Sequence, residues 1–351
     1  MGKFITSDKI FHHLGALKKW RAGNKAISPV TVELHISNLC NNKCYYCCAD
    51  KVKDKQLMKH DQIKKSIDFI KQQKAKAIIF SGGGEPTFNK YFNYAIKYAK
   101  QNKLDVGVIT NAGLFDEKKI TDIINNASWV RVSLDASDDE TYYKIRGVHD
   151  YDKVKENISQ LISCKENLKS KCTIGLQIVV NEYNYLCLPD TVKKIFKDFG
   201  KFDYLQVRPI ETKLNENPYT KGQLDSIKRS IDEIKLFDKV IISDKWNLFF
   251  NSDRTDFGFK ACHCADFIGA IDAYGNYYLC CHTVKNPAYK YCNVFDKQSI
   301  KQFYKLRAAT WKRLGESKGL NPRFCPLGCR GSNINRRLEG LLYEPEHKNF
   351  L

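Results

Sequence analysis

The chain has 351 residues, 43% of them hydrophobic, which is enough for one large core and a smaller satellite domain. No apolar run approaches the length needed to span a bilayer, and residues 1–16 lack the apolar segment of a signal peptide. Fourteen cysteines in such a chain favour metal binding over disulfides. We therefore expect a protein of a reducing, low-oxygen cytoplasm with no membrane partner.

The formal net charge of +19 raises the possibility of nucleic-acid binding. Most of the charge comes from lysines scattered along predicted helices, such as Lys64, Lys97 and Lys100, and no RGG tract, basic tail or RNP-like aromatic pattern accompanies them. We expect a lysine-rich surface rather than a nucleic-acid interface, and an anionic small-molecule substrate is compatible with the charge. An alternative function of a different class is that of a metal-containing protein that binds nucleic acid and catalyses no reaction.

Residues 1–28 are predicted to form a short basic lead-in with one helical stretch, 10–20. Strand and helix patterns then alternate over residues 29–250, and a cysteine-rich segment follows at 251–351. Helical stripes such as Ile63, Ile67 and Ile70 come after β-branched, apolar runs. Six such β-then-α units predict an α/β fold with a parallel sheet. The six predicted strands are 30–35, 77–80, 105–111, 129–134, 173–180 and 204–208.

The loop after the first predicted strand contains three cysteines at the spacing C-x3-C-x2-C, namely Cys40, Cys44 and Cys47. Three thiolates can hold three irons of a [4Fe–4S] cluster and leave the fourth iron open to bind a substrate or cofactor. A zinc site is the alternative for a cysteine group of this kind. A metal loop at the carboxyl end of a strand is typical of the active sites of α/β barrels.

A glycine run, Gly82-Gly83-Gly84-Glu85-Pro86, follows the second predicted strand and lets the backbone approach a bound group closely. Together with the cysteine loop, it resembles the radical S-adenosylmethionine (SAM) superfamily. The resemblance implies that SAM chelates the open iron and is cleaved by one electron to a 5′-deoxyadenosyl radical that removes a substrate hydrogen atom. It also implies that Gly83, Gly84 and Glu85 lie beside the methionine moiety and Tyr46 near the adenine.

The same resemblance implies an open six-unit (β/α)6 partial barrel with a lateral mouth for the substrate. It makes Ser133 a ribose contact, and Asn111 and Arg208 contacts to the cofactor or the substrate; the alternative is that each caps a strand or helix. We expect Arg146 in a loop after the fourth strand, where it binds a carboxylate or phosphate or forms a structural ion pair. An external electron donor such as flavodoxin or ferredoxin would deliver the electron.

Seven cysteines lie between residues 262 and 329 and bracket a predicted hairpin with Gly275 in its turn. The pattern is similar to the SPASM or twitch auxiliary domain of part of the superfamily, but Glu316 and Gly319 stand where the full pattern has cysteines. The resemblance therefore implies one auxiliary [4Fe–4S] cluster, with zinc as the alternative. Its expected ligands are Cys264, Cys280, Cys325 and Cys329, with Cys262 or Cys281 as possible substitutes.

Cys281 occupies the place where sulfatase maturases of this group carry an aspartate. A thiol with an ordinary pKa near 8.5 fits proton uptake poorly but can return a hydrogen atom to a substrate radical, which gives epimerisation. A packed thiol or a spare ligand is the alternative. We expect oxidation or epimerisation of a carbohydrate-like small molecule, and the competing hypothesis is maturation of a ribosomal peptide.

Overall fold

The computed structural model describes residues 7–24, 27–47, 49, 54–211, 217–250, 259–313, 329 and 331–342. In this part of the chain ten strands form one sheet with the order β10-β9-β8-β1-β2-β3-β4-β5-β6-β7. The strands are β1 (Thr31–Leu34), β2 (Ala77–Phe80), β3 (Asp105–Thr110), β4 (Trp129–Ser133), β5 (Thr173–Val180), β6 (Tyr204–Pro209), β7 (Val240–Ile242), β8 (Ile268–Ile271), β9 (Asn276–Tyr278) and β10 (Lys290–Asn293).

All six predicted strands are present, and β1 to β6 pair in parallel in chain order. The α/β fold with an open partial barrel is thereby confirmed. A seventh parallel strand, β7, pairs with β6 and was not expected. Its three residues are too few to give a period of two, which is the signal that distinguishes a strand in a sequence.

Helices follow the strands and cover one face of the sheet. The predicted stripe of Ile63, Ile67 and Ile70 is buried in the core, as expected. The helices of the described residues are α1 (Leu14–Arg21), α2 (His60–Gln72), α3 (Phe92–Gln101), α4 (Glu117–Asn126), α5 (Asp139–Arg146), α6 (Tyr151–Asn167), α7 (Leu188–Phe199), α8 (Lys221–Ile234), α9 (Asn247–Phe250), α10 (Lys297–Lys301), α11 (Phe303–Arg313) and α12 (Ser332–Gly340). None of these helices is long and apolar enough to cross a membrane.

The prediction of a loop around Arg146 is wrong, because Arg146 is the last residue of α5. The side chain of Asp138 caps the start of α5 by accepting a hydrogen bond from the Thr141 backbone N–H at 2.8 Å. Gly147 ends it with the left-handed φ of 70° that glycine tolerates best. The helix has only eight residues and a largely polar sequence, so its apolar periodicity is weak.

The strands alternate between an apolar face under the helices and a polar face toward the barrel interior. In β1, Val32 and Leu34 belong to the core, whereas Glu33 and the following His35 point the other way. In β6, Leu205 is in the core, and Arg208 lies on the polar face. Because the strands are parallel, the loops that follow them meet at one edge of the sheet.

The predicted hairpin near the C-terminus is confirmed as β8 and β9, with Gly275 in the turn at a φ of 81°. Strand β8 also pairs in parallel with β1, so the hairpin continues the barrel sheet. A buried arginine of α11, Arg307, donates hydrogen bonds to the Ile27 carbonyl at 2.5 Å and to the Asp266 side chain at 2.9 Å. This contact joins the N-terminal lead-in, the hairpin and α11.

Candidate active site

The cysteine loop is bound to the C-terminal end of α5. The Lys43 backbone N–H donates to the Arg146 carbonyl at 2.8 Å, and the Arg146 guanidinium donates to the Cys44 sulfur at 3.4 Å. Cys40 and Cys47 are exposed, Cys44 is half-buried, and none of the three forms a disulfide bond. Two of the three cysteines therefore reach the surface, while the end of α5 holds the backbone of the loop.

Arg146 is buried and forms an ion pair with the buried Asp135 at 2.5 Å. Asp135 also accepts hydrogen bonds from the Tyr46 hydroxyl and, at 2.7 Å, from the Val179 backbone N–H. Burial lowers the pKa of Arg146, but Asp135, Tyr46, Cys44 and Tyr142 together outweigh this effect, and the pKa lies above its usual range. Asp135, with a φ of 65°, thus connects Tyr46 and the cysteine loop to β5.

The glycine run packs directly against the segment that leads into the cysteine loop. A Cβ atom on Gly82 would lie 1.8 Å from the His35 ring, and one on Gly84 would lie 2.2 Å from the Leu39 carbonyl oxygen. A Cβ on Gly83 would lie 2.3 Å from the side-chain oxygen of Asn38. The glycines are therefore required for contact between two loops, in addition to any approach to a ligand.

The buried carboxylate of Glu85 connects the glycine run to the end of β3. It accepts hydrogen bonds from the Thr110 hydroxyl at 2.7 Å, the Thr87 hydroxyl at 2.6 Å and the Asn111 backbone N–H at 2.8 Å. Burial raises the pKa of Glu85 despite these donors. Its side chain fixes the position of neighbouring residues, and its backbone N–H donates to the Leu39 carbonyl at 2.8 Å. The cofactor contact expected of Glu85 stays a prediction.

Two further predicted residues lie at neighbouring strand ends. The Asn111 side-chain amide donates to Asn41 at 2.8 Å and lies 3.8 Å from the Cys40 sulfur. Ser133 ends β4 and is in register with Gln177 of β5. Gln177 is buried, and its side-chain oxygen has no hydrogen-bond partner within the described residues. Arg208, in contrast, is paired with Glu211 beyond the end of β6.

The residues around the cysteine loop fit an iron–sulfur cluster with bound SAM. Three cysteines come from one loop, and the buried side-chain nitrogen of Asn41 and the side-chain oxygen of Asn42 each lack a hydrogen-bond partner in the part that the structure describes. Gln177 provides a further acceptor suited to a ribose hydroxyl. Within the same described ranges, no three His, Cys, Asp or Glu side chains are placed to hold a single metal ion.

Cys262, Cys264 and Cys329 lie around the start of α12. Asn335 accepts hydrogen bonds from the Cys264 backbone N–H at 2.7 Å and donates to the Cys262 sulfur at 3.3 Å. A Cβ on Gly331 would lie 3.2 Å from the Cys264 sulfur and 3.6 Å from the Cys329 sulfur.

Cys280 belongs to the same group, because burial and its neighbours Cys281, Cys329 and Cys262 raise the pKa of its thiol. The antiparallel pairing of β8 with β9 brings the flanking residues Cys264 and Cys280 to one end of the hairpin, as the sequence predicted. Cys325 lies outside the described residues.

A pocket of about 310 Å³ opens between the glycine run and the turn of the hairpin. Most of its lining residues have polar side chains, which include acids, amides, phenols and a lysine. It was not predicted, because the hairpin comes to β1 only through a pairing across more than 200 residues of sequence. Its lining residues are His35, Asn38, Asp54, Gly83, Asp272, Tyr274, Asn276, Tyr278, Val284 and Lys285.

The family model described as the radical SAM superfamily matches residues 34–193, which contain the cysteine loop, the glycine run and strands β2 to β5. Residues 34–193 belong to the radical SAM superfamily. The superfamily implies a [4Fe–4S] cluster with SAM.

Curated relatives of this chain carry the name S-adenosylmethionine-dependent nucleotide dehydratase. The one from Fibrobacter sp. is 26% identical over 172 residues, which are 45% of this chain and 50% of that protein. The one from Psychrobacter lutiphocae is 27% identical over 247 residues, 64% of this chain and 83% of that protein. The chain spans about half the length of the first three curated relatives it matches, at 50%, 44% and 57%.

Solved structures with bound SAM share the fold of this chain. Streptococcus suis SuiB has a TM-score of 0.61 and 17% identity, over 85% of this chain and 70% of that chain. Native anSMEcpe has a TM-score of 0.58 and 18% identity, over 89% of this chain and 99% of that chain. At these identities the likeness shows the partial-barrel fold alone.

Proposed function

We propose that the chain is a radical SAM enzyme that removes a hydrogen atom from a small polar substrate in the barrel mouth. The observation that supports this most directly is the cysteine loop, in which Cys40 and Cys47 are exposed while Arg146 and Asn111 hold the loop from the protein side. Cys40, Cys44 and Cys47 would hold the cluster. Tyr46, the Gly83–Gly84 backbone, Glu85, Asn111, Ser133 and Gln177 would surround SAM. When bound, the cluster and SAM supply the one-electron chemistry that generates a hydrogen-abstracting radical.

The chain's own residues would orient these groups and stabilise their charge. Thiolate ligands and an added electron bring negative charge to the loop, and the buried Arg146 lies 3.4 Å from the Cys44 sulfur to offset it. Asp135 fixes the guanidinium in that position. An external donor such as flavodoxin or ferredoxin would supply the electron.

We also propose one auxiliary [4Fe–4S] cluster, held by Cys264, Cys280, Cys325 and Cys329 with Cys262 or Cys281 as substitutes. The packing of Cys264 and Cys329 around Gly331 and the electrostatic effect of Cys329 and Cys262 on Cys280 support this set. Cys281 stays a candidate hydrogen-atom donor, since it directly follows a proposed ligand.

The pocket between the glycine run and the hairpin supports a small-molecule substrate. Its volume of about 310 Å³ falls at the lower end of ligand pockets, and its acids, amides and phenols suit hydroxyl groups. We propose oxidation or epimerisation of a carbohydrate-like group there. A second candidate, dehydration of a nucleotide, is favoured by the names of the curated relatives, and a nucleotide also contains a sugar.

The test of this function is anaerobic iron quantification and dithionite-driven SAM cleavage on the reconstituted full chain. We expect about eight irons in the wild type and about four in the C40A/C44A/C47A variant, which should form no 5′-deoxyadenosine. The matched control is the C164A/C172A/C187A variant, which removes three thiols outside both proposed sites. Zinc in place of iron would overturn the proposal and favour a nucleic-acid-binding protein. SAM cleavage by the C40A/C44A/C47A variant would also overturn the proposal.

A further inference from the structure

A buried histidine lines the pocket between the glycine run and the hairpin, which we call the His35 pocket. His35 directly follows β1, Gly83 lies in the loop after β2, and Asp272 directly follows β8. Strand β1 pairs in parallel with both β2 and β8, so these three residues lie at the same edge of the sheet. The cysteine loop follows β1 at that edge too, which is where parallel barrels carry their chemistry.

The ring of His35 is held in one orientation. Its backbone N–H donates to the Ile271 carbonyl at 2.9 Å, and its ring packs so closely on Gly82 that a Cβ there would lie 1.8 Å away. The ring nitrogen Nε2 lies 3.0 Å from a carboxylate oxygen of Glu33. The side chains of His35 and Glu33 are 6% and 7% exposed, so neither has room to rotate.

The second ring nitrogen of His35, Nδ1, has no hydrogen-bond partner in the part of the chain that the structure describes. An ionised carboxylate can only accept a hydrogen bond, so Glu33 places the ring proton on Nε2. Nδ1 is then an acceptor. A buried acceptor without a partner costs free energy, and a ligand that brings an O–H or N–H donor removes that cost.

The acids that line the His35 pocket are already occupied by protein donors. Asp272 accepts hydrogen bonds from the Tyr274 and Asn276 backbone N–H groups, both at 2.9 Å. Asp54 accepts one from the Asn38 side chain at 2.6 Å. These contacts fix the walls of the pocket before a ligand arrives, which lowers the entropy cost of binding.

We infer that the His35 pocket binds a hydroxylated sugar ring and that Nδ1 of His35 accepts a hydrogen bond from one of its hydroxyls. The inference rests on the proposed function and deepens it, because it gives the substrate a defined position beside the glycine run. A volume of about 310 Å³ suits a single ring better than a peptide. Glu33 is a positioning residue that acts through the ring of His35. The sugar ring belongs either to a free sugar or to a nucleotide, and the test separates these two sources.

The test measures ligand binding to the reconstituted full chain by isothermal titration calorimetry. ATP, CTP, GTP and UTP form the nucleotide arm, and glucose 1-phosphate and galactose 1-phosphate form the sugar arm. We expect at least one of these probes to bind the wild type. Binding in only one arm identifies the source of the ring.

Two variants separate the roles of the two ring nitrogens. In H35N the side-chain amide takes the position of Nδ1, whereas in H35Q it takes the position of Nε2 and keeps the contact with Glu33. We expect H35Q to bind the probe about tenfold more weakly, because the acceptor is lost, and H35N to lose less affinity. A histidine that only supports the fold through Glu33 would give the opposite order.

Deoxy analogues of the probe test the same hydrogen bond from the side of the ligand. Removal of the hydroxyl that donates to Nδ1 should weaken binding to the wild type about tenfold and change binding to H35Q little. Two ligands are compared on one protein here, so a partly unfolded variant cannot imitate this result. The control variant H149Q removes an exposed histidine that also pairs with a carboxylate, that of Asp139, and should bind like the wild type.

Several results would overturn the inference. These are no binding of any probe to the wild type, H35N as weak as H35Q or weaker, an equal loss in H149Q, or no deoxy analogue that binds the wild type more weakly than its parent. Equal discrimination against the deoxy analogue by H35Q and the wild type would also overturn it. Thermal melting checks that each variant is folded.

Dithionite-driven SAM cleavage by the same wild-type preparation separates this inference from the proposed function. Cleavage without binding of any probe overturns the role of the His35 pocket and leaves the radical SAM proposal in place. Binding of a probe without cleavage overturns the proposed function.

Discussion

At the scale of single residues, the candidate site combines two contiguous motifs with supporting contacts that only the fold brings together. The cysteine spacing and the glycine run could be recognised in the sequence because each is contiguous. The ion pair of Arg146 with Asp135 could not be recognised, because the sequence does not show that the end of a helix packs against the end of a strand. The same holds for Glu85, whose carboxylate binds Thr110 and Asn111 after an intervening helix.

Arg146 provides the prediction at this scale. Its replacement by glutamine leaves the Asp135 carboxylate buried without its cation, so we expect a loss of about 3–5 kcal/mol in the free energy of unfolding. The R146Q variant should also retain less iron, because the hydrogen bond to Cys44 is lost. Chemical denaturation and iron quantification measure the two effects.

The double variant D135N/R146Q and the single variant K144Q are the controls. The double variant removes both charges and should recover part of the stability that R146Q loses. Lys144 pairs with Glu140 on the exposed side of the same helix, so its replacement should change the free energy of unfolding little. A double variant as unstable as R146Q would contradict the proposed role of the ion pair.

At the scale of elements, sequence periodicity predicted the strands and helices that are long and apolar. The six strands and the helices with strong apolar stripes are found where they were expected. Helix α5 and strand β7 were missed because they are short, with eight and three residues. The pairing of β8 with β1 was missed for another reason: it joins residues that are far apart in the chain, and the hairpin alone satisfies only one edge of β8.

The end of α5 provides the prediction at this scale. Gly147 has a φ of 70°, and a Cβ there would lie 2.9 Å from the Cβ of Lys43 in the cysteine loop. The G147A variant should therefore combine about 1–2 kcal/mol of backbone strain with displacement of the loop. We expect both a lower melting temperature and a lower iron content after reconstitution.

Gly23 offers a matched control, because its φ is 75° and a Cβ there would meet nothing within 4 Å. The G23A variant should show the backbone cost but keep the iron content of the wild type. Equal iron contents in G147A and G23A would mean that the end of α5 does not position the cysteine loop.

At the scale of the whole molecule, one continuous sheet includes both the radical SAM region and the hairpin. Strand β1 pairs with β2 on one side and with β8 on the other, so the hairpin shares backbone hydrogen bonds with the strand that leads into the cysteine loop. The turn of this hairpin also lines the pocket beside Gly83. We therefore expect the hairpin and the barrel to unfold in one cooperative transition.

Arg307 tests this expectation, because it binds the Ile27 carbonyl and the Asp266 side chain at points remote from the cysteine loop. The R307Q variant removes a buried cation beside the buried Asp266 and should lower the free energy of unfolding by about 3–5 kcal/mol. If the sheet is one cooperative unit, far-ultraviolet and near-ultraviolet circular dichroism will report the same shifted midpoint.

The R337Q variant, which removes an exposed pair with Asp8, should change that midpoint little. Two separate transitions in R307Q, with the barrel transition unmoved, would show that the hairpin is an independent unit despite its pairing with β1.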